Sequence, residues 1–250
     1  MRTIVFIHGY MNTGAAWKDW QAYFEQRGYR CLAPSWSYLD REIADLQANP
    51  DPCLAQLTFA DVVAHYQTII DQLEERPILI GHSLGGVVVQ KLVEKGYAGL
   101  AIAIASGPPK GIFAWNKDFL LSNLQLTWNP RGEATVLMSP NWYHRYVINH
   151  LTLEESQAFV AENCVPAGRK IAKTIEKIDF SRPHVPLLFI AGAEDKSQPA
   201  VINQKNAQAY QDSSSQVTYR VFSGRTHQMI QQKGWQEVAE FVEEWIKQQE

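Results

Sequence analysis

Ile78-Leu79-Ile80-Gly81-His82-Ser83-Leu84-Gly85-Gly86 reads as a short apolar run, a serine bracketed by glycines, and the start of a helix through Val87, Val88, Val89, Leu92 and Val93. The first part has strand length, and the apolar residues after it recur at helical spacing. A serine on so sharp a strand-to-helix turn sits on strained backbone, and glycine on either side lets neighbouring segments come close. The turn pushes the hydroxyl out of the sheet. The helix that begins there offers unpaired NH groups and the positive end of its dipole to negative charge developing nearby. The strand-turn-helix context separates this stretch from a chance Gly-x-Ser-x-Gly match. A glycine turn whose serine only caps the helix is the plainer reading, but it leaves the partners found downstream unexplained.

Outward from this turn, short apolar runs alternate with longer segments of helical period. That pattern specifies a parallel sheet with helices on both faces, an α/β architecture. The expected strands are 4–7, 30–33, 78–80, 100–105, 187–191 and 217–222, six in all. Thr58 and Asp61 have capping-box spacing ahead of Val62, Tyr66, Ile69, Ile70 and Leu73, which predicts a helix packed on the sheet. Trp235, Val238, Phe241, Val242 and Trp245 repeat that spacing after Gly234 and predict a closing amphipathic helix.

A serine hydroxyl becomes a useful nucleophile only when a base takes its proton, and an imidazole suits this best. Among seven histidines, His227 follows the last expected strand in Phe222-Ser223-Gly224-Arg225-Thr226-His227, as the chain order serine, acid, histidine requires. The acid belongs in the loop after the preceding strand, where Gly192-Ala193-Glu194-Asp195 offers Asp195 or Glu194. Two backbone NH groups must face the developing oxyanion. One is expected from Leu84, the other from Tyr10 in the loop His8-Gly9-Tyr10-Met11-Asn12, or from Met11 if that turn is one residue longer. The Gly9 to Gly14 interval is not a phosphate loop, since Ala15-Ala16 stands where Lys and Ser or Thr are needed. His8 is expected to shape its loop or line the pocket, and His82 to pack beside the serine.

The ordered set His8-Gly9, Gly81-His82-Ser83-Leu84-Gly85, Gly192 to Asp195 and His227 resembles the α/β-hydrolase superfamily over nearly the whole chain, above all its capped lipase, esterase and lactonase-like members. The resemblance implies Ser83, Asp195 and His227 as a catalytic triad, with Asp195 preferred over Glu194 on the family's Gly-x-x-Asp loop. It implies a six-stranded, mostly parallel sheet lacking the two leading strands of larger members. It also implies hydrolysis of a carboxylic ester or lactone with a mainly apolar acyl group, without a cofactor. Members with an aspartate nucleophile act on haloalkanes and epoxides, and Ser83 argues against those reactions. Thioesterases, acyltransferases, cofactor-free perhydrolases and non-catalytic ligand binders share the frame, so fold and triad do not name the substrate.

The alternation breaks after Gly107, so residues 107–185 are expected to form a helical cap inserted into a core of 1–106 and 186–250. Thr152 and Glu155 mark one helix start there. The segment concentrates Phe113, Trp115, Phe119, Trp128, Trp142 and Tyr143. Trp115, Phe119 and Trp142 are candidate walls of a substrate pocket, against the plainer expectation that they pack the cap onto the core. A net charge of −3 with scattered basic residues gives no electrostatic reason to expect nucleic acid, and the resemblance implies a small-molecule acyl substrate as partner. No stretch approaches the roughly 20 apolar residues of a membrane span, and the first eight residues enter a strand pattern, so a cytoplasmic location is expected. Cys31, Cys53 and Cys164 have no metal-ligand spacing and read as small hydrophobes, and the remaining histidines form no metal-ligand set.

Overall fold

The computed structural model describes residues 2–127 and 134–249. Among them are strands β1 (Thr3–Ile7), β2 (Arg30–Leu32), β3 (Ile78–His82), β4 (Leu100–Ile104), β5 (Thr135–Val136), β6 (Ala167–Gly168), β7 (Leu187–Gly192) and β8 (Val217–Phe222). Six of them form one sheet in the order β2-β1-β3-β4-β7-β8, and every neighbouring pair is parallel. The six expected strands are the six of this sheet.

Alternating side chains along each strand feed two apolar layers. Val5, Ile7, Leu79, Ala101 and Phe189 pack with helices Phe59–Ile70 and Leu84–Glu94 on one face. Ile4, Phe6, Ile80, Ile102, Ile104 and Ile190 pack with Trp17, Trp20 and Phe24 and with the closing helix Gln236–Gln248 on the other. Burial on both faces explains why these strands read as continuous apolar runs. The Thr58–Asp61 and Thr152–Glu155 capping boxes both form, each with the hydroxyl accepting from the N3 NH and the carboxylate accepting from the cap NH.

The register brings the strand ends level. Ile7 lies opposite Gly81, and His82 opposite Ile104. Strand β3 therefore runs two residues past its expected end, because Gly81 and His82 stay in the ladder. Gly81 is tolerated there for a steric reason, since a Cβ on it would lie 2.3 Å from the carbonyl oxygen of Gly85.

Between β4 and β7 the chain forms helices Lys117–Thr127, Pro140–Tyr146, Leu153–Asn163 and Arg169–Lys173 and the antiparallel pair β5/β6. That pair, absent from the sequence reading, spans two residues per strand, too few for an alternating pattern to register. Met11, from the loop after β1, is buried among Trp142, Tyr143, Tyr146, Val147 and Val160 of this segment. Cys31 and Cys164 are buried as expected, whereas Cys53 is exposed. Among the described residues, no helix is long and apolar enough to cross a membrane.

Candidate active site

The loops after β1, β3, β4, β7 and β8 meet at the carboxyl edge of the sheet, where open parallel sheets place their ligand crevices. Ser83 follows β3 directly with φ 55° and ψ −118°. Such a conformation costs a non-glycine residue about 1–3 kcal/mol and persists only where its surroundings fix it. Here the Ser83 NH donates to Ile104 O at 3.0 Å, and its carbonyl accepts from Gly86 NH at 3.0 Å and Gly107 NH at 3.1 Å. The helix start is also seated by contact. A Cβ on Gly85 would lie 2.1 Å from the carbonyl oxygen of Ile7.

Ser83 Oγ lies 2.9 Å from His227 Nε2, and His227 Nδ1 lies 2.8 Å from Asp195 Oδ2. A carboxylate can only accept, so Nδ1 carries the proton and Nε2 presents its lone pair to the serine hydroxyl. The Asp195 side chain is fully buried and that of His227 nearly so. The other carboxylate oxygen, Oδ1, accepts from Ser197 NH at 2.8 Å and Gln198 NH at 2.7 Å. Burial of the charge is thus matched by three donors. Glu194, the competing acid, is exposed. Sequence could not separate two adjacent acids; the turn at the end of β7 does, by pointing only the second one inward.

The loop bearing His227 is held from behind. Arg225 donates to Lys233 O, Gly234 O and Glu237 Oε2 at 2.6–2.8 Å, and Gln232 Oε1 accepts from Thr226 NH at 3.0 Å.

Tyr10 and Leu84 flank Ser83 on the wall of an apolar cavity of about 100 Å³. Among the described residues, neither main-chain NH is taken up by a protein acceptor. The Tyr10 hydroxyl donates to Gly168 O at 3.0 Å, tying its loop to β6. Met11, the alternative donor, has φ 58°, and its carbonyl accepts from Val165 NH at 3.1 Å. The cavity walls include Val87, Leu126, Trp142, Val147, Phe159 and Ile175, with Asn123, Gln198 and Gln228 as polar points. Among the described residues that line it, none is Lys, Arg, Asp or Glu.

The three aromatic candidates separate. Trp142 lines the cavity. Phe119 does not, being buried against Ala114 and Ile202. Trp115 is 89% exposed and stacks edge-on against Phe113. The pocket assignment of Phe119 and Trp115 is therefore corrected: one packs the segment onto helix Ala200–Ala209, the other faces solvent. Trp128 lies outside the described residues. Val147, Phe159 and Cys164 also line the cavity, a role the sequence does not assign to them.

The two accessory histidines are buried and fixed in tautomer. His8 Nδ1 donates to Gly9 O at 2.9 Å, and its Nε2 accepts from Trp36 NH at 3.3 Å. Burial lowers its pKa to about 4. His82 Nε2 donates to the carbonyl of His227, and burial, reinforced by the adjacent His227, lowers its pKa to about 3. Among the described residues, no group of three or more His, Cys, Asp or Glu could hold a metal ion.

Residues 4–241 match the model of the alpha/beta hydrolase family. Similar solved structures include polyneuridine aldehyde esterase, with 16% identity, 98% of each chain covered and a TM-score of 0.71. A methylesterase from Arabidopsis shows 15% identity, 99% of each chain covered and a TM-score of 0.71. A monoacylglycerol lipase from Paleococcus ferrophilus shows 15% identity, 99% of this chain and 95% of that chain covered and a TM-score of 0.67. No curated protein sequence matches the chain. With the family match spanning nearly the whole sequence, the chain belongs to the α/β-hydrolase family.

Proposed function

We propose that this α/β-hydrolase cleaves an uncharged carboxylic ester or lactone with a mainly apolar acyl group, using Ser83, His227 and Asp195 as nucleophile, base and acid. The observation that carries the reading is the unbroken run Ser83 Oγ, His227 Nε2, His227 Nδ1, Asp195 Oδ2, with 2.9 and 2.8 Å links, opening on an apolar cavity. As Oγ bonds to the carbonyl carbon, its proton passes to Nε2, and the imidazolium is stabilised by the buried carboxylate. Negative charge then gathers on the former carbonyl oxygen, where the NH groups of Leu84 and Tyr10 are the proposed donors. Collapse expels the alcohol, which takes the proton from Nε2. Water, activated by the same ring, then releases the acid and restores the serine.

The described wall is built of apolar and uncharged polar side chains, which supports a neutral substrate, because among the described lining residues a buried charge would find no Lys, Arg, Asp or Glu to pair with. Residues 107–185 act in this reading as the lid that supplies most of the apolar wall, and the protein works on a small molecule in the cytoplasm.

The test is Ser83→Ala on p-nitrophenyl butyrate, with a fluorophosphonate probe on the unaltered protein. Turnover should drop at least about a thousandfold and Ser83 alone should be labelled. Undiminished turnover, or labelling elsewhere, would refute the mechanism.

A further inference from the structure

The stretch from Val147 to His150, between helices Pro140–Tyr146 and Leu153–Asn163, reaches out of the segment joining β4 to β7 and touches both loops that carry the acid and the base. Val147 O accepts from Gln228 NH at 3.2 Å. Asn149 Nδ2 donates to Glu194 O at 3.2 Å. His150 Nδ1 lies 2.8 Å from Thr226 Oγ1. Each of the three bonds lands on an immediate neighbour of His227 or Asp195: Thr226 and Gln228 on either side of the base, Glu194 just before the acid.

The donor at the third bond can be deduced. Thr226 Oγ1 is also 3.2 Å from Gln232 Oε1, an amide oxygen that only accepts, so the threonine proton points there. Thr226 Oγ1 then accepts from His150 Nδ1–H. Thr226 is gripped from two sides, by Gln232 from its own loop and by His150 from the inserted segment.

The same stretch is continuous with the cavity. Val147 lines it, and Val147 and Ile148 are buried in one cluster with Trp142, Tyr143 and Met11. Strands β7 and β8 end at Gly192 and Phe222. Beyond them Glu194 NH donates to Arg225 O at 2.9 Å and His82 Nε2 to His227 O at 2.8 Å, and the three bonds from residues 147–150 hold the same two loops from the side of the inserted segment.

We propose that residues 147–150 form a positioning brace, in which Asn149 and His150 hold the acid and base loops in register and transmit to them the packing of substrate against the inserted segment. This rests on the triad reading above. A displacement of about 1 Å at a reacting group is enough to cost on the order of a hundredfold in rate, which sets the scale of the effect. Asn149 and His150 touch no reacting atom, so their removal should appear in kcat more than in KM.

The experiment compares Asn149→Ala, His150→Leu and His150→Asn, the last placing a side-chain NH near the site of Nδ1–H. The readouts are kcat and KM on p-nitrophenyl butyrate, the rate of fluorophosphonate labelling, and Tm. For Asn149→Ala and His150→Leu, kcat should fall roughly 10–100-fold with KM changed less than about threefold, and labelling should slow in parallel. His150→Asn should regain most of kcat. A kcat within about twofold of the unaltered protein in both variants overturns the brace, and so does a loss that follows the unfolded fraction or is not regained in His150→Asn. Full activity in Ser83→Ala would instead overturn the triad reading. Inactive Ser83→Ala beside fully active Asn149→Ala and His150→Leu removes the brace alone.

Discussion

His82 donates from Nε2 to the main-chain carbonyl of His227 at 2.8 Å, and the two rings lie 4.9 Å apart. The residue before the proposed nucleophile thus holds the backbone of the residue proposed as its base. The bond fixes His82 as the neutral Nε2–H tautomer, and its Nδ1 is buried without a protein partner among the described residues.

Acid should therefore destabilise the fold through His82 and His8. Their folded pKa values, lowered by burial to about 3 and about 4, lie below the unfolded value near 6.5. Between those limits the unfolded chain binds protons that the folded chain refuses, so stability falls as pH falls, by up to about 1.4 kcal/mol per pH unit for each histidine. Urea midpoints measured from pH 7 to pH 4.5 should decline, and His8→Gln should flatten the decline. Equal midpoints across that range would show that neither ring is held neutral.

Asp195 and Glu194 should behave oppositely. Asp195→Asn removes the charge proposed to stabilise the imidazolium and offers an NH₂ group where the ring needs an acceptor, so on the proposed mechanism kcat should fall about 10³–10⁴-fold. Glu194→Gln should leave kcat within about twofold, since that side chain is exposed and only its main chain is engaged. Steady-state rates on p-nitrophenyl acetate decide it, and similar losses in the two variants would contradict the assignment.

The aromatic assignments can be read from acyl-chain preference. Trp142→Ala enlarges the cavity and should move the optimum of a p-nitrophenyl ester series to longer chains, at about 1–3 kcal/mol per methylene accommodated. Trp115→Ala should leave the series unchanged, its ring being in solvent. A shift with Trp115→Ala and none with Trp142→Ala would reverse the assignment.

The parts of this molecule that the sequence discloses are those governed by short-range chemistry. Apolar runs buried on both faces mark the strands, Thr58–Asp61 and Thr152–Glu155 mark helix starts, and the glycines around Ser83 mark a turn that no bulkier residues could make. The preference for Asp195 over Glu194 rests, in the sequence, on resemblance alone; which of the two carboxylates meets the His227 ring depends on the path of the loop after β7. The fates of Trp115, Phe119 and Trp142 needed the tertiary path of the segment between β4 and β7, where irregular backbone and two-residue strands leave no period to read. His82 was expected to pack. Its bond to His227 joins residues 145 positions apart, and no local pattern could announce it.

The close seating of Gly85 on the carbonyl of Ile7 bears on how such a protein can change over time. Main chain rests directly on main chain there, with no side chain between, so the gap separating the Tyr10 loop from the Leu84 helix start is set by the backbone itself. Replacing residues of the cavity wall would change the shape offered to the proposed acyl group but leave that gap as it was. On the proposed mechanism, substrate choice and the capacity to steady an anion rest on different parts of the chain, so one can drift while the other is kept.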